Sequence, residues 1–244
     1  MKTRFLGALC AVLVALASPG AGAVVVVNND EWTLSNTGYA NAPADTDRFV
    51  SNLANLFSGG GSGTFHAYTS NFSFTQSNLA ATLSGAGHTY TTGTAFAFTP
   101  ENISGFDALF LGGFYLSPTE ITTLINYANS GGNVYLAGGT GVGGAAAEAA
   151  AWNPFLNAFG LSYGTSYNGI SGNIDVTAAT HPIFDGVSIL YQNNGNSVSG
   201  PGVQVSLNEQ GLYAVVPAIP IPPAIYLFGT GLMGLVGMSR RKVA

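Results

Sequence analysis

An α/β domain with a doubly wound, mostly parallel sheet is the fold class this sequence predicts, on three observations. Residues 24–27 are four consecutive valines, the apolar, β-branched run expected of a strand whose sheet is covered on both faces. Residues 106–113 (Phe-Asp-Ala-Leu-Phe-Leu-Gly-Gly) and 134–137 (Val-Tyr-Leu-Ala) are two more buried-strand runs. Between them Ser117, Pro118 and Glu120 spell a helix start, with a cap, a first-turn proline and a capping-box glutamate. Strands alternating with helices need crossovers, and crossovers place strands parallel.

In chain order, the first strand runs into Asn28, Asn29, Asp30, Glu31 and Trp32, a polar loop at a strand's C-terminal edge, where ligands sit in open α/β sheets. Asp45 reads as an N-cap for a helix carrying Phe49, Val50, Leu53, Leu56 and Phe57 at helical spacing, ended by Gly59, Gly60 and Gly61. A short strand is expected over 64–69, a helix over 75–83 and a strand over 88–91. Helix 117–130 has Ile121, Leu124, Ile125 and Ala128 as its buried face and stops at Gly131 and Gly132. After strand 134–137 comes a glycine-rich elbow, 138–144, then an alanine-rich helix expected to break near Pro154 and resume with Phe155, Leu156 and Phe159. Beyond Gly160 the pattern turns to short alternating pieces at 161–163, 172–177 and 188–191, with 203–207 and 212–216 as a final hairpin or edge strands. The run 192–197 (Gln-Asn-Asn-Gly-Asn-Ser) reads as a turn-rich loop.

Both ends of the chain read as address labels. Lys2 and Arg4 precede an apolar run over 5–17, and Ala21-Gly22-Ala23 is an A-x-A site, so residues 1–23 are expected to be a signal peptide, with an alternative cut after Ala17. Cys10 does not make a lipoprotein, because Leu9 before it is too large. At the other end, residues 216–223 hold four prolines and form an expected extended spacer. A short transmembrane helix is expected at 224–239, and then a basic tail at 240–244 with Arg240, Arg241 and Lys242. As a helix the apolar run 224–238 reaches roughly 22 Å, short for a permanent span against about 30 Å of hydrocarbon. The basic cluster is expected to stay cytoplasmic, leaving the chain before it outside the inner membrane.

Within 24–215, about 190 residues and enough for one domain, all 11 acidic residues face a single Lys or Arg, Arg48, for a net charge of −10. Such a domain cannot neutralise phosphates, which excludes nucleic acid as a partner. The chain's 1 cysteine is Cys10, so the domain has no disulfide, thiolate nucleophile or cysteine metal site.

The tail from Ile219 to Leu232, with Pro220, Ile221 and Pro222 at its motif, resembles the variant V-P-L-P-A form of the PEP-CTERM sorting signal, with Ile221 in place of the name-giving glutamate. The resemblance implies recognition by an exosortase and the export machinery, transient residence in the inner membrane, tail removal, and delivery to the cell surface, outer envelope or extracellular matrix. The alternative is an ordinary C-terminal anchor. The 106–144 segment is similar to the class I glutamine amidotransferase-like superfamily, and 180–187 (Thr-His-Pro-Ile-Phe-Asp-Gly-Val) is similar to a stretch in ThuA-like domains. That resemblance implies a flavodoxin-like sheet. Active members carry a cysteine at the elbow, where this chain has Gly139, Thr140 and Gly141. The domain is therefore expected to be noncatalytic and to bind extracellular polysaccharide, a ligand suggested by the sorting system's association with exopolysaccharide.

Candidate residues follow from that reading. Asn29, Asp30, Trp32, Tyr115, Gly139, Thr140 and Gly141 lie on the expected ligand edge. For catalysis the weak candidates are Thr140 as nucleophile with His181 as base, or a loop carboxylate in a secreted hydrolase acting on a carbohydrate or amide. No cofactor is expected. Asp30, Glu31, Asp45 and Asp47 offer oxygen ligands for calcium but lack EF-hand spacing, and His66 and His88 have no partner at zinc spacing. Trp32, Tyr39, Tyr68, Tyr115 and Tyr167 are candidates for stacking on sugar rings, against the alternative that they are core.

Overall fold

The computed structural model describes residues 22–218. The greater part of the expected signal peptide, the end of the proline spacer, the apolar 224–239 segment and the basic tail lie outside the described residues. Among the described residues no helix is long and apolar enough to cross a membrane.

The chain begins with β1 (Val24–Asn28), a 3-10 turn (Glu31–Leu34), α1 (Asn36–Asn41) and α2 (Pro43–Ser58). It continues through β2 (Thr64–Ala67), α3 (Phe72–Thr75), α4 (Ser77–Gly85), β3 (Thr89–Thr92), α5 (Pro100–Ile103) and β4 (Ala108–Leu111). Next come α6 (Pro118–Asn129), β5 (Asn133–Ala137) and α7 (Ala145–Leu156). The remainder is β6 (Ser162–Tyr167), β7 (Ser171–Asp175), a 3-10 turn (Pro182–Phe184), β8 (Ile189–Asn193), β9 (Asn196–Ser199), β10 (Val203–Leu207) and β11 (Gln210–Pro217).

These elements form an α/β domain on a mixed sheet of 9 strands in the order β3-β2-β4-β5-β1-β11-β9-β6, with β10 also on β11. The first five are parallel, as the alternation of strands and helices predicts; β11, β9, β6 and β10 are antiparallel additions. β7 and β8 form a separate hairpin. The architecture is compatible with a flavodoxin-like fold.

Alternation along the strands divides the core into two layers. Val26, Phe65, Phe110 and Tyr135 point to a layer closed by α2 and α4 through Phe49, Leu53, Leu79 and Leu83. Val27, Leu109, Leu111 and Leu136 point to the other, closed by α6 and α7 through Ile121, Leu124, Trp152 and Phe155.

Several local expectations change. α2 starts at Pro43, after Ala42 as cap; Asp45 sits in its first turn and instead accepts the Ser188 and Ile189 N–H groups, both at 3.1 Å. α7 runs through Pro154 without a break. Trp152, Phe155 and Leu156 are fully buried around it, and Asn153 exchanges two hydrogen bonds with the Tyr163 backbone, at 2.7 and 3.1 Å, so packing outweighs the one lost helical bond. The 192–197 run is a turn only at Asn194 and Gly195: Gln192 and Asn193 close β8, and Asn196 and Ser197 open β9. β10 and β11 form the expected final hairpin, but β11 is no edge strand, since it also pairs with β1 and β9, and it extends to Pro217, past the expected domain boundary at 215.

The Ser117 capping box is present in full, with Ser117 N–H donating to Glu120 at 2.7 Å and Glu120 N–H to the Ser117 hydroxyl at 3.4 Å. Ser117→Ala is expected to lower stability by about 1 kcal/mol. Thr122→Ala, which removes only a bond back to the Pro118 carbonyl, is expected to be near neutral. Urea unfolding midpoints of the two variants, compared in one buffer, check both.

Candidate functional site

Neighbouring strands β1 and β5 send their chains to opposite faces: β1 leads to α1 and α2, β5 to α7. Helices diverging from adjacent parallel strands open a crevice at the strands' C-terminal ends, the usual ligand position in such sheets. The residues there are 28–32 after β1 and 138–144 after β5, joined by the turn between β8 and β9.

Three backbones meet at this point. Asn196 N–H donates to the Asn29 carbonyl at 3.0 Å, Gly138 N–H to the Asn28 carbonyl at 3.0 Å, and Gly139 N–H to the Asn196 side chain at 3.1 Å. Glycine is required at two places. A Cβ on Gly195 would stand 1.9 Å from the Asn29 carbonyl oxygen, and Gly139, at φ 64°, would put one 2.8 Å from the Gly195 Cα. Beneath them Asn28, Thr33, Tyr135, Gln192 and Tyr213 form a buried polar network, including Asn28 Nδ2 to the Tyr135 hydroxyl at 3.0 Å and Gln192 Nε2 to the Tyr213 hydroxyl at 2.6 Å.

Three carboxyl groups sit in this junction, and each holds a different loop. Asp30, fully buried, accepts Trp32 N–H at 2.6 Å and Asn193 N–H at 2.5 Å, tying the β1 loop to the β7–β8 hairpin. Glu31 accepts from the Asn71 carboxamide in the loop after β2. Glu148, on α7, accepts both the N–H of Thr140, at 2.6 Å, and its hydroxyl. Its second oxygen, Oε2, is buried with no hydrogen-bond partner. Burial is the main force on their acidities: it pushes Asp30 up to about 7, against the two backbone N–H bonds and with the charge of Glu148 adding to it. Glu31 likewise rises to about 7, through burial first, with Asp30 and Glu148 adding to it against the Asn71 bond. Glu148 is raised by burial and lowered by its bonds to Thr140.

The expected binding residues fall on this edge. Asn29 and Asp30 are buried, Trp32, Tyr115, Gly139 and Thr140 are half-buried, and Gly141 is exposed. Trp32 packs edge-on against Phe72 with ring centres 4.9 Å apart, and the Tyr115 hydroxyl donates to the Val142 carbonyl. Tyr167 lies half-buried beside Glu148. Tyr39 and Tyr68 are core residues, with hydroxyls on Thr82 at 3.0 Å and the Phe96 carbonyl at 2.9 Å.

Thr140 and His181 have separate partners. His181 caps the 3-10 turn Pro182–Phe184, accepts Ile183 N–H at 3.4 Å and donates its backbone N–H to Gln204 at 3.2 Å. That turn is fastened to α2 by Asn52, which donates to the Ile183 and Asp185 carbonyls. Burial lowers the His181 pKa.

The four candidate calcium ligands divide in the same way, since Asp45 serves the β8 backbone and Asp47 accepts the Thr82 hydroxyl at 2.7 Å. Among the described residues no group of three or more His, Cys, Asp or Glu is arranged to hold a metal ion. His66 is buried, bonded to Thr91 at 2.7 Å and to the Gly93 carbonyl at 2.9 Å, and stacked on Phe106. His88 accepts Gly63 N–H at 2.9 Å.

Sequence reasoning passed over Glu148, Asn71 and Asn196. The one available signal was Glu148 itself, the lone acid in an alanine run directly behind the elbow. A comparison with protein-family models, curated proteins and solved structures finds no match to this chain.

The raised carboxyls set the direction of the pH dependence. Folded Asp30 and Glu31 hold protons up to about pH 7, while the unfolded chain releases them near 3.8 and 4.5. Their contribution to stability is therefore complete below about pH 4 and lost as pH rises to 7. Melting temperature is expected to fall by on the order of 10 °C or more across that window. Asp30→Asn is expected to flatten the slope whatever its effect on the absolute value, as read by thermal unfolding from pH 4 to 8.

Proposed function

We propose that this chain is an exported cell-surface or matrix-associated protein, delivered through a PEP-CTERM and exosortase-type tail, whose domain binds extracellular polysaccharide without catalysis. The domain is read as flavodoxin-like and related to the amidotransferase-like superfamily. In support, β3-β2-β4-β5 follow the flavodoxin order 2-1-3-4, although β1 occupies the fifth place. The observation that carries the noncatalytic reading is the state of the elbow. Thr140, its one hydroxyl, is bound to the buried carboxyl of Glu148, and no histidine is bonded to it. Attack by a threonine oxygen needs a hydrogen-bonded base and free N–H donors for the oxyanion; the Glu148 carboxyl that meets the hydroxyl also takes the Thr140 N–H, at 2.6 Å, so that N–H does not face an oxyanion.

Binding is supported by what surrounds the elbow. Tyr115 and Tyr167, both half-buried, meet the backbone of the exposed elbow at Val142 and Gly141; half-buried Trp32 packs on Phe72, and exposed Phe114 on Tyr68. Aromatic faces with polar edges suit sugar rings, and a domain with a net charge of −10 suits a neutral polymer better than an anionic one. Trp32→Ala and Tyr115→Ala are each expected to reduce retention on the producing organism's own matrix polysaccharide at least fivefold, with the melting temperature preserved. Equal retention of wild type and both variants, or no retention of wild type, removes the binding claim.

A second reading, a secreted hydrolase acting on a carbohydrate or amide, is favoured in its carboxylate form by the acidities of Asp30 and Glu31. A carboxylic acid still protonated near neutral pH can donate a proton to a leaving group. It predicts slow release of reducing ends or ammonia, abolished by Glu31→Gln and unaffected by His181→Ala. Absence of turnover in wild type after prolonged incubation with matrix polysaccharides and peptide amides rejects it.

A further inference from the structure

The carboxyl edge is short of hydrogen-bond partners in a way the rest of the described domain is not. Among the described residues seven buried side-chain nitrogen and oxygen atoms have no partner; six belong to Asn29, Glu148, Tyr167, Asn168 and Gln192, in or beside this junction, and the seventh to Ser58 at the end of α2. The shortage is therefore a property of this place. Asn29 is wholly buried and neither atom of its carboxamide is bonded; a Cβ on Gly195, in the turn packed on the elbow, would stand 2.8 Å from its nitrogen. Glu148, only 1 % exposed, keeps Oε1 on Thr140 and leaves Oε2 unbonded. The Tyr167 hydroxyl approaches the same carboxyl without closing a hydrogen bond to it. A polar atom buried unbonded bears its full desolvation cost, and several at one point call for a group that serves them together.

What would serve them has a sign. Glu148 Oε2, Asn29 Oδ1 and the Tyr167 hydroxyl oxygen can all accept, and Asp30, Glu31 and Glu148 lie close enough for their charges to act on one another. Burial first, then the charge of Glu148 and less strongly that of Glu31, raises the Tyr167 pKa, which places both carboxyls beside this ring. The one Lys or Arg of residues 24–215, Arg48, lies along Gly186, so the sequence supplies no cation here. A metal ion needs several oxygen ligands in one shell, whereas these carboxyls each hold a different loop and, among the described residues, no three acids are arranged around one point. An ammonium group needs only two or three acceptors, and it is attracted to tyrosine faces. Tyr115 and Tyr167 stand half-buried at the elbow backbone, with Thr140 half-buried and Gly141 exposed, so that Glu148 is one residue below solvent.

We propose that the cluster beneath the elbow takes the protonated amino group of a sugar, which donates to Glu148 Oε2, Asn29 Oδ1 and the Tyr167 hydroxyl while its charge offsets the carboxylates. The polymer bound at this edge is then one that carries free amines, a partly deacetylated amino-sugar chain. This rests on the reading of the edge as a polysaccharide site and names the chemistry of what it binds. An acetylated amine brings neither the charge nor the three donors, and a plain hydroxyl brings one donor.

The test is calorimetric titration of the full-length chain in detergent, at one ionic strength, with three probes: a fully deacetylated glucosamine tetramer, its N-acetylated counterpart and a neutral glucose tetramer. The deacetylated probe is expected to bind at least tenfold tighter than the other two. Glu148→Gln, which keeps the shape and removes the charge, is expected to lower that affinity at least tenfold and to leave the other two within about twofold. Tyr167→Phe, at the rim of the site, is expected to cost about threefold and serves where Glu148→Gln does not fold. Glu101→Gln, on exposed α5, removes the same unit of charge elsewhere and is expected to change nothing. Equal losses in Glu148→Gln and Glu101→Gln, which would mark general attraction of a polycation to an acidic surface, overturn the proposal, as do unchanged affinities in both Glu148→Gln and Tyr167→Phe. A wild type that binds the deacetylated probe no tighter than the others also overturns it, and retention on the matrix polysaccharide would then leave the broader binding reading standing.

Discussion

Four valines make the seam of this molecule. β1 lies parallel to β5 on one side and antiparallel to β11 on the other, so the parallel and antiparallel halves are one sheet only through it. Val25, Val26 and Val27 are wholly buried and alternate between the two core layers. A polar side chain at any of them would lose its water without gaining a partner. Register matters more than identity, because a one-residue slip would exchange the side chains of the two layers. It would also displace the carboxyl cluster, since the C-terminal end of β1 carries Asn28 through Glu31 into it.

Local chemistry is enough to specify part of the fold. The buried runs near β1, β4 and β5 and the helix start at Ser117 all follow from nearest-neighbour chemistry, and each is present. What depends on distant partners was not legible. The 192–197 run is rich in Asn and Gly, and its centre is indeed a turn, with Asn194 at φ 67°. Strand β9 begins beside it only because Asn196 is bonded to Asn29, which lies 167 positions earlier in the chain. The β10–β11 hairpin is legible from its own sequence, but the further pairing of β11 with β1 and β9 is not, because antiparallel partners leave no crossover helix in the sequence to announce them. Pro154 costs one helical hydrogen bond that the sequence shows, whereas what holds the helix together there, the burial of Trp152 and Phe155 and the bonds of Asn153 to the Tyr163 backbone on β6, depends on the rest of the fold.

The site shows the same division. Placing 28–32 and 138–144 on one edge needed only the rule that parallel strands end on the same side. That their strands are neighbours, β1 beside β5, needed the strand order, which crosses over β4 and β5 in passing from β1 to β2. The partner of Thr140 was sought in His181, far along the chain, because histidine is the usual base for a hydroxyl. The actual partner, Glu148, is one helical turn beyond the elbow. It is a position where a carboxylate also meets the N-terminal end of α7.

The charge inventory explains why this junction takes the form it does. Buried carboxylates are ordinarily stabilised by arginine or lysine, but the described domain has Arg48 alone, on α2, where its side chain lies along the backbone of Gly186. Asp30, Glu31 and Glu148 must therefore be accommodated by N–H groups, a carboxamide, a hydroxyl and retained protons. Neutral donors cannot cancel three negative charges held together, so the charge state of the edge is governed by solution pH and not by internal ion pairs. The same absence of cations leaves the surrounding surface to tyrosine, tryptophan and glycine.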